Sequence, residues 1–258
     1  MNNQLTDSKD FFRENPQLMI WVLAVERFTC TELITYASRT PEHGRLYMEF
    51  TKFLREIGTN WCDALKVCQE LIDDPDSQDF SFKYAFIGLK MAGKSTASNI
   101  VSEILRCQAV DTSDMIYDRL AVELGITLGD LRAMPKEDIR PKLIGIGDRL
   151  SKTDPLALIR PVMESKSFTI AGIRKRDQLE ALPKDVQVVW INREDHTPDS
   201  LDNLDIDPTG HCIVVNNGSC MIEFRYVLSD LLLGITRSLD HPSGVCCVGD
   251  SRLRNHKP

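Results

Sequence analysis

The sequence predicts an α/β fold: a five-stranded parallel sheet flanked by helices, preceded by a small all-α domain. Three observations carry this. From Phe82 onward, short apolar runs alternate with stretches of helical period, which implies parallel strands joined by crossover helices on both faces. The first 80 residues show helical period and no strand pattern. A glycine-rich segment joins the first strand directly to the first helix of the alternating region. The boundaries follow as 1–80 for the helical part, 81–240 for the α/β part and 241–258 for a tail without periodicity, expected to be flexible.

The helical part contains three apolar-periodic runs, Leu18 to Ala37, Leu46 to Ile57 and Trp61 to Ile72, punctuated by Asn15-Pro16 and Pro41. The acidic run from Asp73 to Asp79 is the natural linker. The α/β part opens with a strand over Phe82 to Ile87 and a helix from Ser95 to Cys107. A strand follows at Ala109 to Thr112, then helices at Asp114 to Leu124, Arg140 to Leu150 and Pro155 to Ser165. The third strand is Phe168 to Gly172, followed by a helix from Arg176 to Leu182. Val186 to Ile191 and Cys212 to Val215 are the fourth and fifth strands, and Met221 to Ser238 is the closing helix.

With 42% hydrophobic and 27% charged residues, the chain has globular composition, which excludes disordered and fibrous classes. Its net charge of −7 argues against a broad electrostatic grip on nucleic acid. The helical part holds 8 basic and 14 acidic side chains, nearly the whole imbalance. Phe28-Thr29-Cys30-Thr31-Glu32-Leu33 and the following helices have helix-turn-helix spacing, but such a unit needs a basic recognition helix. A docking or self-association module, or a buttress for the α/β part, fits residues 1–80 better than DNA binding. The longest apolar stretch, Leu18 to Val25, is far below the roughly 20 residues that span a bilayer. MNNQLTDSKD has no basic region followed by an apolar one. The eight cysteines contain no C-x-x-C pair and several lie in apolar runs. A cytoplasmic protein with reduced thiols and no membrane partner is the expectation.

Gly88-Leu89-Lys90-Met91-Ala92-Gly93-Lys94-Ser95-Thr96 matches G-x-x-x-x-G-K-[ST]. The glycines let backbone N–H groups form a nest for phosphate oxygens. Lys94 supplies a charge for the β and γ phosphates, Ser95 a hydroxyl for Mg²⁺, and the helix N-terminus a favourable dipole. Gly88, Met91, Ala92, Gly93, Lys94, Ser95 and Thr96 are therefore the candidate ATP-binding loop. The alternative is a glycine turn with an exposed lysine, which the strand before it and the helix after it disfavour. No N-K-x-D guanine motif is present, and the third strand ends in FTIAG without the strand-end acid of motors and transporters. A compact kinase remains, with Arg132, Arg140, Arg149, Arg160, Arg174, Arg176 and Arg193 as supply for bidentate phosphate binding.

Three further segments accompany this loop: Asp111-Thr112-Ser113-Asp114-Met115-Ile116-Tyr117; Ile170-Ala171-Gly172-Ile173-Arg174 leading into a helix; and Val188-Val189-Trp190-Ile191-Asn192-Arg193 followed by Ile213-Val214-Val215-Asn216-Asn217-Gly218-Ser219. With these four features, the chain from Phe82 to Leu233 resembles the bacteriophage-type deoxynucleoside monophosphate kinases, within the P-loop nucleoside-monophosphate kinase fold. The resemblance implies ATP and Mg²⁺ as cofactors and a nucleoside or deoxynucleoside monophosphate as acceptor. It gives catalytic roles to Lys94, Arg174, Arg140 and Asp114, and donor-site roles to Arg193, Asn216 and Gly218. Where the family carries an acid near the strand-three arginine, this chain has Ala171 and Gly172, so the acid on the magnesium side is Asp111 or Asp114. Metal ligation is thus expected from Ser95 with Asp111.

Each residue also has a plainer reading. Arg174 could make a helix-start salt bridge, Arg140 could lie on a solvated face, Asp114 could cap its helix, and Asn-Asn-Gly-Ser is ordinary turn chemistry. Trp190 reads as core. The stretch from His196 reads as a loop or part of a lid. Two other functions stand beside the leading one. The chain could phosphorylate a hydroxymethylated base in DNA, with residues 1–80 holding the polymer, or sense a nucleotide without turnover.

Overall fold

The computed structural model describes residues 2–74, 80–193, 204, 206, 211–215, 220–234 and 245–247. Five helices come first: α1 (Asn2–Glu14), α2 (Pro16–Ala24), α3 (Cys30–Ala37), α4 (Pro41–Ile57) and α5 (Trp61–Asp73). There follow β1 (Lys83–Ile87), α6 (Lys94–Leu105), β2 (Gln108–Asp111), α7 (Thr112–Leu124), α8 (Leu128–Ala133), α9 (Lys136–Thr153), α10 (Arg160–Met163) and β3 (Phe168–Ala171). The remaining elements are α11 (Arg176–Glu180), β4 (Gln187–Asn192), β5 (Cys212–Val215), α12 (Met221–Leu232) and β6 (Val245–Cys247).

The sheet order is β2-β3-β1-β4-β5-β6. β1 to β5 pair in parallel, with Ala85 opposite Ile170 on one side and Val188 on the other. The sheet departs from the five expected strands by β6, which pairs antiparallel with β5, Cys212 opposite Cys247. β6 lies within 241–258, so part of that segment is sheet rather than loose tail. Three residues carry too few side chains for a period-2 signal, and their pairing is supplied by the open edge of β5.

Alternation along β1 explains the two-faced core. Tyr84 and Phe86 enter one apolar cluster with α6, α12 and α1–α5, whereas Ala85 and Ile87 enter another with Ile170, Trp190, Val162 and Leu182. A parallel sheet covered on both sides requires this double burial. Trp190 is core, as its strand position predicts. A third, smaller cluster holds α7, α8 and α9 together through Leu120, Leu131, Ile139 and Ile146.

The expectation of a separate all-α domain is revised. Trp21, Phe50 and Leu71 share one apolar cluster with Phe86, Val101 and Leu228, so the N-terminal helices form an outer layer on α6 and α12. Residues 18–24 of α2 are all buried, and a helix apolar all round belongs inside a core. The run Leu18 to Ala37 forms two helices, α2 and α3. Thr29 takes extended backbone and accepts from the Glu32 amide, while the Glu32 carboxylate accepts from the Thr29 amide at 2.7 Å. This reciprocal cap starts α3. The expected helix over Pro155 to Ser165 shrinks to α10, and α1 and α8 are additional. Asp73 closes α5 and takes both its carboxylate oxygens to Arg106 Nε at 3.0 Å, so the linker reading does not extend to it. Residues 75–79 lie outside those described. No helix among the described residues is long and apolar enough to cross a membrane.

One polar node is buried in the helical layer. His43 and Asp230, 0% and 1% exposed, meet at 2.7 Å through Nε2 and Oδ1. The Tyr36 hydroxyl donates to the same oxygen at 3.3 Å.

The cysteines divide by environment. Cys30, Cys62 and Cys220 are exposed. Burial raises the Cys68 thiol pKa strongly and pushes that of Cys107 up to about 12. A raised pKa keeps the thiol protonated at pH 8, and the protonated thiol is a poor nucleophile. Residue-resolved alkylation of the folded protein at pH 8 is expected to modify Cys30, Cys62 and Cys220 first, and Cys68 and Cys107 only on unfolding. Early loss of Cys68 would show that the α5 packing opens locally.

Candidate functional site

The strand order creates the site. From β1 the chain runs to β2 at the edge, returns to β3 beside β1, then crosses β1 to β4. In open parallel sheets, ligands bind outside the carboxyl ends of the strands where the order reverses. The ends of β1 to β4 carry, in turn, the glycine loop, Asp111, Gly172 with Arg174, and Arg193.

The loop runs from β1 into α6. Gly88 has φ 142°, and a Cβ there would stand 2.3 Å from the Ile191 carbonyl oxygen. Only glycine lets β1 turn so close to β4. Met91 has φ 61° and is exposed, Ala92 is buried, and Gly93 with φ 100° precedes α6. Lys94 is half-buried, its Nζ donating to the Leu89 carbonyl within the loop. Thr96 is half-buried one residue beyond Ser95. A buried hydroxyl pair seats α6 on the sheet: Thr169 Oγ1 donates to the Ser98 carbonyl at 3.0 Å, and the two hydroxyls meet at 2.8 Å.

Ser95 and Asp111 are brought together. The Ser95 hydroxyl donates to Asp111 Oδ2 across 16 residues of sequence. Asp111 Oδ1 accepts from both the amide and the hydroxyl of Ser113, so the carboxylate also caps α7. The pairing of Asp111 with Ala171 sets it beside the end of β3. There Thr112, 6% exposed, donates to the Gly172 carbonyl at 2.9 Å. Gly172 has φ 95°, and a Cβ would lie 2.2 Å from Thr112 Oγ1 and 3.2 Å from Asp111 Oδ1. A glycine at this position thus leaves room beside β3 for the Asp111 carboxylate from β2.

The other residues distribute as follows. Arg193 follows β4 and donates from Nη1 to the Met91 carbonyl at 3.4 Å, against the glycine loop. Arg174 is exposed at the end of β3, and among the described residues its guanidinium makes no ion pair. Arg140 is half-buried on α9. Asp114 is exposed in the first turn of α7 and pairs with Arg132 at 2.6 Å; the helix cap is Asp111 instead. Arg149 and Arg160 pair with Glu123 and Asp154. Asn216, Gly218 and the stretch from His196 lie outside the described residues. Sequence reasoning passed over Thr112 and Gln178. Thr112 directly follows a strand-end acid, a position at a strand's carboxyl end. The Gln178 carbonyl accepts the Arg174 and Lys175 amides, and no local pattern marks it.

No family model matches the chain, and no curated protein does. Among solved structures it is similar to the crystal structure of a gluconokinase from Sinorhizobium meliloti 1021. The identity is 14% over 60% of this chain and 95% of that one, with a TM-score of 0.32. A likeness of that size carries no weight for activity.

Proposed function

We propose that the protein transfers the γ-phosphoryl group of ATP, with Mg²⁺, to the phosphate of a nucleoside or deoxynucleoside monophosphate. One observation carries the reading: the ends of four adjacent parallel strands deliver a glycine loop, an acid bonded to its serine, and two arginines to one rim of the sheet.

The residues suit the cofactors. The Ser95 hydroxyl and Asp111 carboxylate are adjacent hard oxygen donors, the set Mg²⁺ uses when phosphates complete its shell. Bound there, the ion would neutralise charge on the β and γ oxygens. The amides of residues 88–95 and Lys94 would hold the donor phosphates, and Arg193 lies where it would reach them over Met91. Arg174 and Arg140 would present guanidinium forks to the acceptor phosphate. Positioning and charge compensation supply nearly all the catalysis in such a transfer.

The test is ADP release from Mg-ATP with each ribo- and deoxynucleoside monophosphate in turn. Release that depends on at least one monophosphate is expected, and it names the acceptor. ATP binding with no turnover on any of them overturns the proposal.

A further inference from the structure

We infer that Gln178 is a positioning residue, one that sets Arg174 toward the acceptor and couples the loop after β3 to α9; this rests on the acceptor role proposed above for Arg174. Gln178 is 9% exposed, at the third position of α11. Its Oε1 accepts the backbone amides of Arg174 at 3.1 Å and Lys175 at 3.3 Å. Two amide donors on one atom identify that atom as oxygen, so Nε2 is the donor to the buried Ser151 hydroxyl at 3.0 Å. One side chain therefore joins α11, the loop after β3 and α9.

The contacts have a direction. Gly172 and the buried Ile173 fix the chain up to Arg174. Beyond them the backbone leaves the sheet, and the next two amides have no strand partner. Gln178 satisfies both, which fixes the direction in which the Arg174 side chain departs. Lys175 extends from the same turn to Asp148 on α9 at 2.6 Å. Asp148 and Ser151 are three apart and share a helix face. Arg140 precedes Ser151 on that face by about three turns. Loop and helix are thus tied at two points, and Arg140 and Arg174 move as one frame. A glutamine serving only to cap α11 would not need the bond to Ser151.

Four full-length variants test this: Gln178→Leu, Gln178→Glu, Arg174→Ala and the double Gln178→Leu/Arg174→Ala. Two readouts are used, amide exchange at Arg174 and Lys175, and steady-state turnover with the acceptor. Gln178→Leu is expected to speed exchange at those two amides at least ~10-fold, with β3 amides unchanged. It should lower kcat/KM for the monophosphate about 10- to 100-fold, leaving KM for ATP within about twofold. Gln178→Glu keeps the acceptor oxygen, and Ser151 can rotate to donate, so it should restore most of the activity. Added to Arg174→Ala, Gln178→Leu should cost little more.

Unchanged exchange in Gln178→Leu overturns the inference, with or without turnover in the wild type. So do losses that multiply fully in the double variant, or a Gln178→Leu protein as active as wild type. A silent Arg174→Ala, or a wild type without monophosphate-dependent turnover, overturns the acceptor reading instead.

Discussion

Replacing Lys94 with alanine is expected to lower monophosphate-dependent ADP release about 10²- to 10³-fold, the scale for removing one aligned charge-stabilising donor. The first residue of α6 tolerates alanine, the best helix former, and Lys94 is half-buried, so the fold should survive. The loss falls on electrostatics alone. Loop amides and the helix dipole remain, and they hold the donor with reduced affinity. Lys94→Arg should also fail, because the guanidinium is broad and planar where the loop encloses a compact ammonium against the Leu89 carbonyl. The measurement is steady-state ADP production with circular dichroism as a fold control. A Lys94→Ala protein that turns over normally would show that the loop does not bind the reacting phosphates.

Asp230→Ala is expected to destabilise the fold by about 3–5 kcal/mol, the scale for removing one partner of a buried polar pair. That is a large part of the roughly 5–15 kcal/mol typical of a protein. The reason lies in the donors left behind. His43 Nε2 and the Tyr36 hydroxyl both point at Asp230 Oδ1, and neither His43 nor Asp230 reaches solvent. The Tyr36 phenol stays protonated, since burial and then the Asp230 charge raise its pKa well above the usual value. Both donors would lose this acceptor inside apolar packing. Thermal unfolding should shift down by about 6–20 °C. The double replacement His43→Leu/Asp230→Leu should recover the part of the loss that comes from His43, because two apolar side chains leave no stranded donor from the pair, while the Tyr36 hydroxyl still lacks this acceptor.

The same melt tests the helical layer. Its apolar cluster is continuous with the sheet's, so one cooperative transition is expected by far-UV and tryptophan signals. Two separate transitions would restore an independent helical domain. A shift below about 1 kcal/mol in Asp230→Ala would mean the node contributes no more than an ordinary exposed pair.

Local chemistry wrote much of this fold legibly into the sequence. The strand-loop-helix around Gly88 to Thr96 was readable because each residue type answers a short-range need: tight turns, a close approach to β4, a helix start. The fifth strand, Cys212–Val215, has the predicted bounds, and the other four differ from theirs by one residue at one or both ends. Their apolar runs are short and bounded by turn residues. Asp111 was one of two candidate acids in the segment after α6, the other being Asp114. The period of the Leu18 to Ala37 run does not locate its break, because Thr29 carries it in the backbone while apolar residues continue on both sides. An apolar run reports burial and does not report which neighbour buries it, so α2 could have belonged to a free-standing domain as readily as to the layer over α6.

The sequence by itself determined the α/β class, the strand, glycine loop and helix that open it, and the order of the five parallel strands along the chain, because period and turn chemistry act over a few residues. Only the tertiary structure decided that β3 enters between β2 and β1, that β6 joins the edge in reverse, and that Asp111 rather than Asp114 meets Ser95. It also decided that Gln178 bridges to Ser151 and that His43 meets Asp230, 187 residues away. These are choices among distant partners. They are made by packing both faces of one sheet and by the need of each buried polar group for a partner, and neither requirement leaves a local signature.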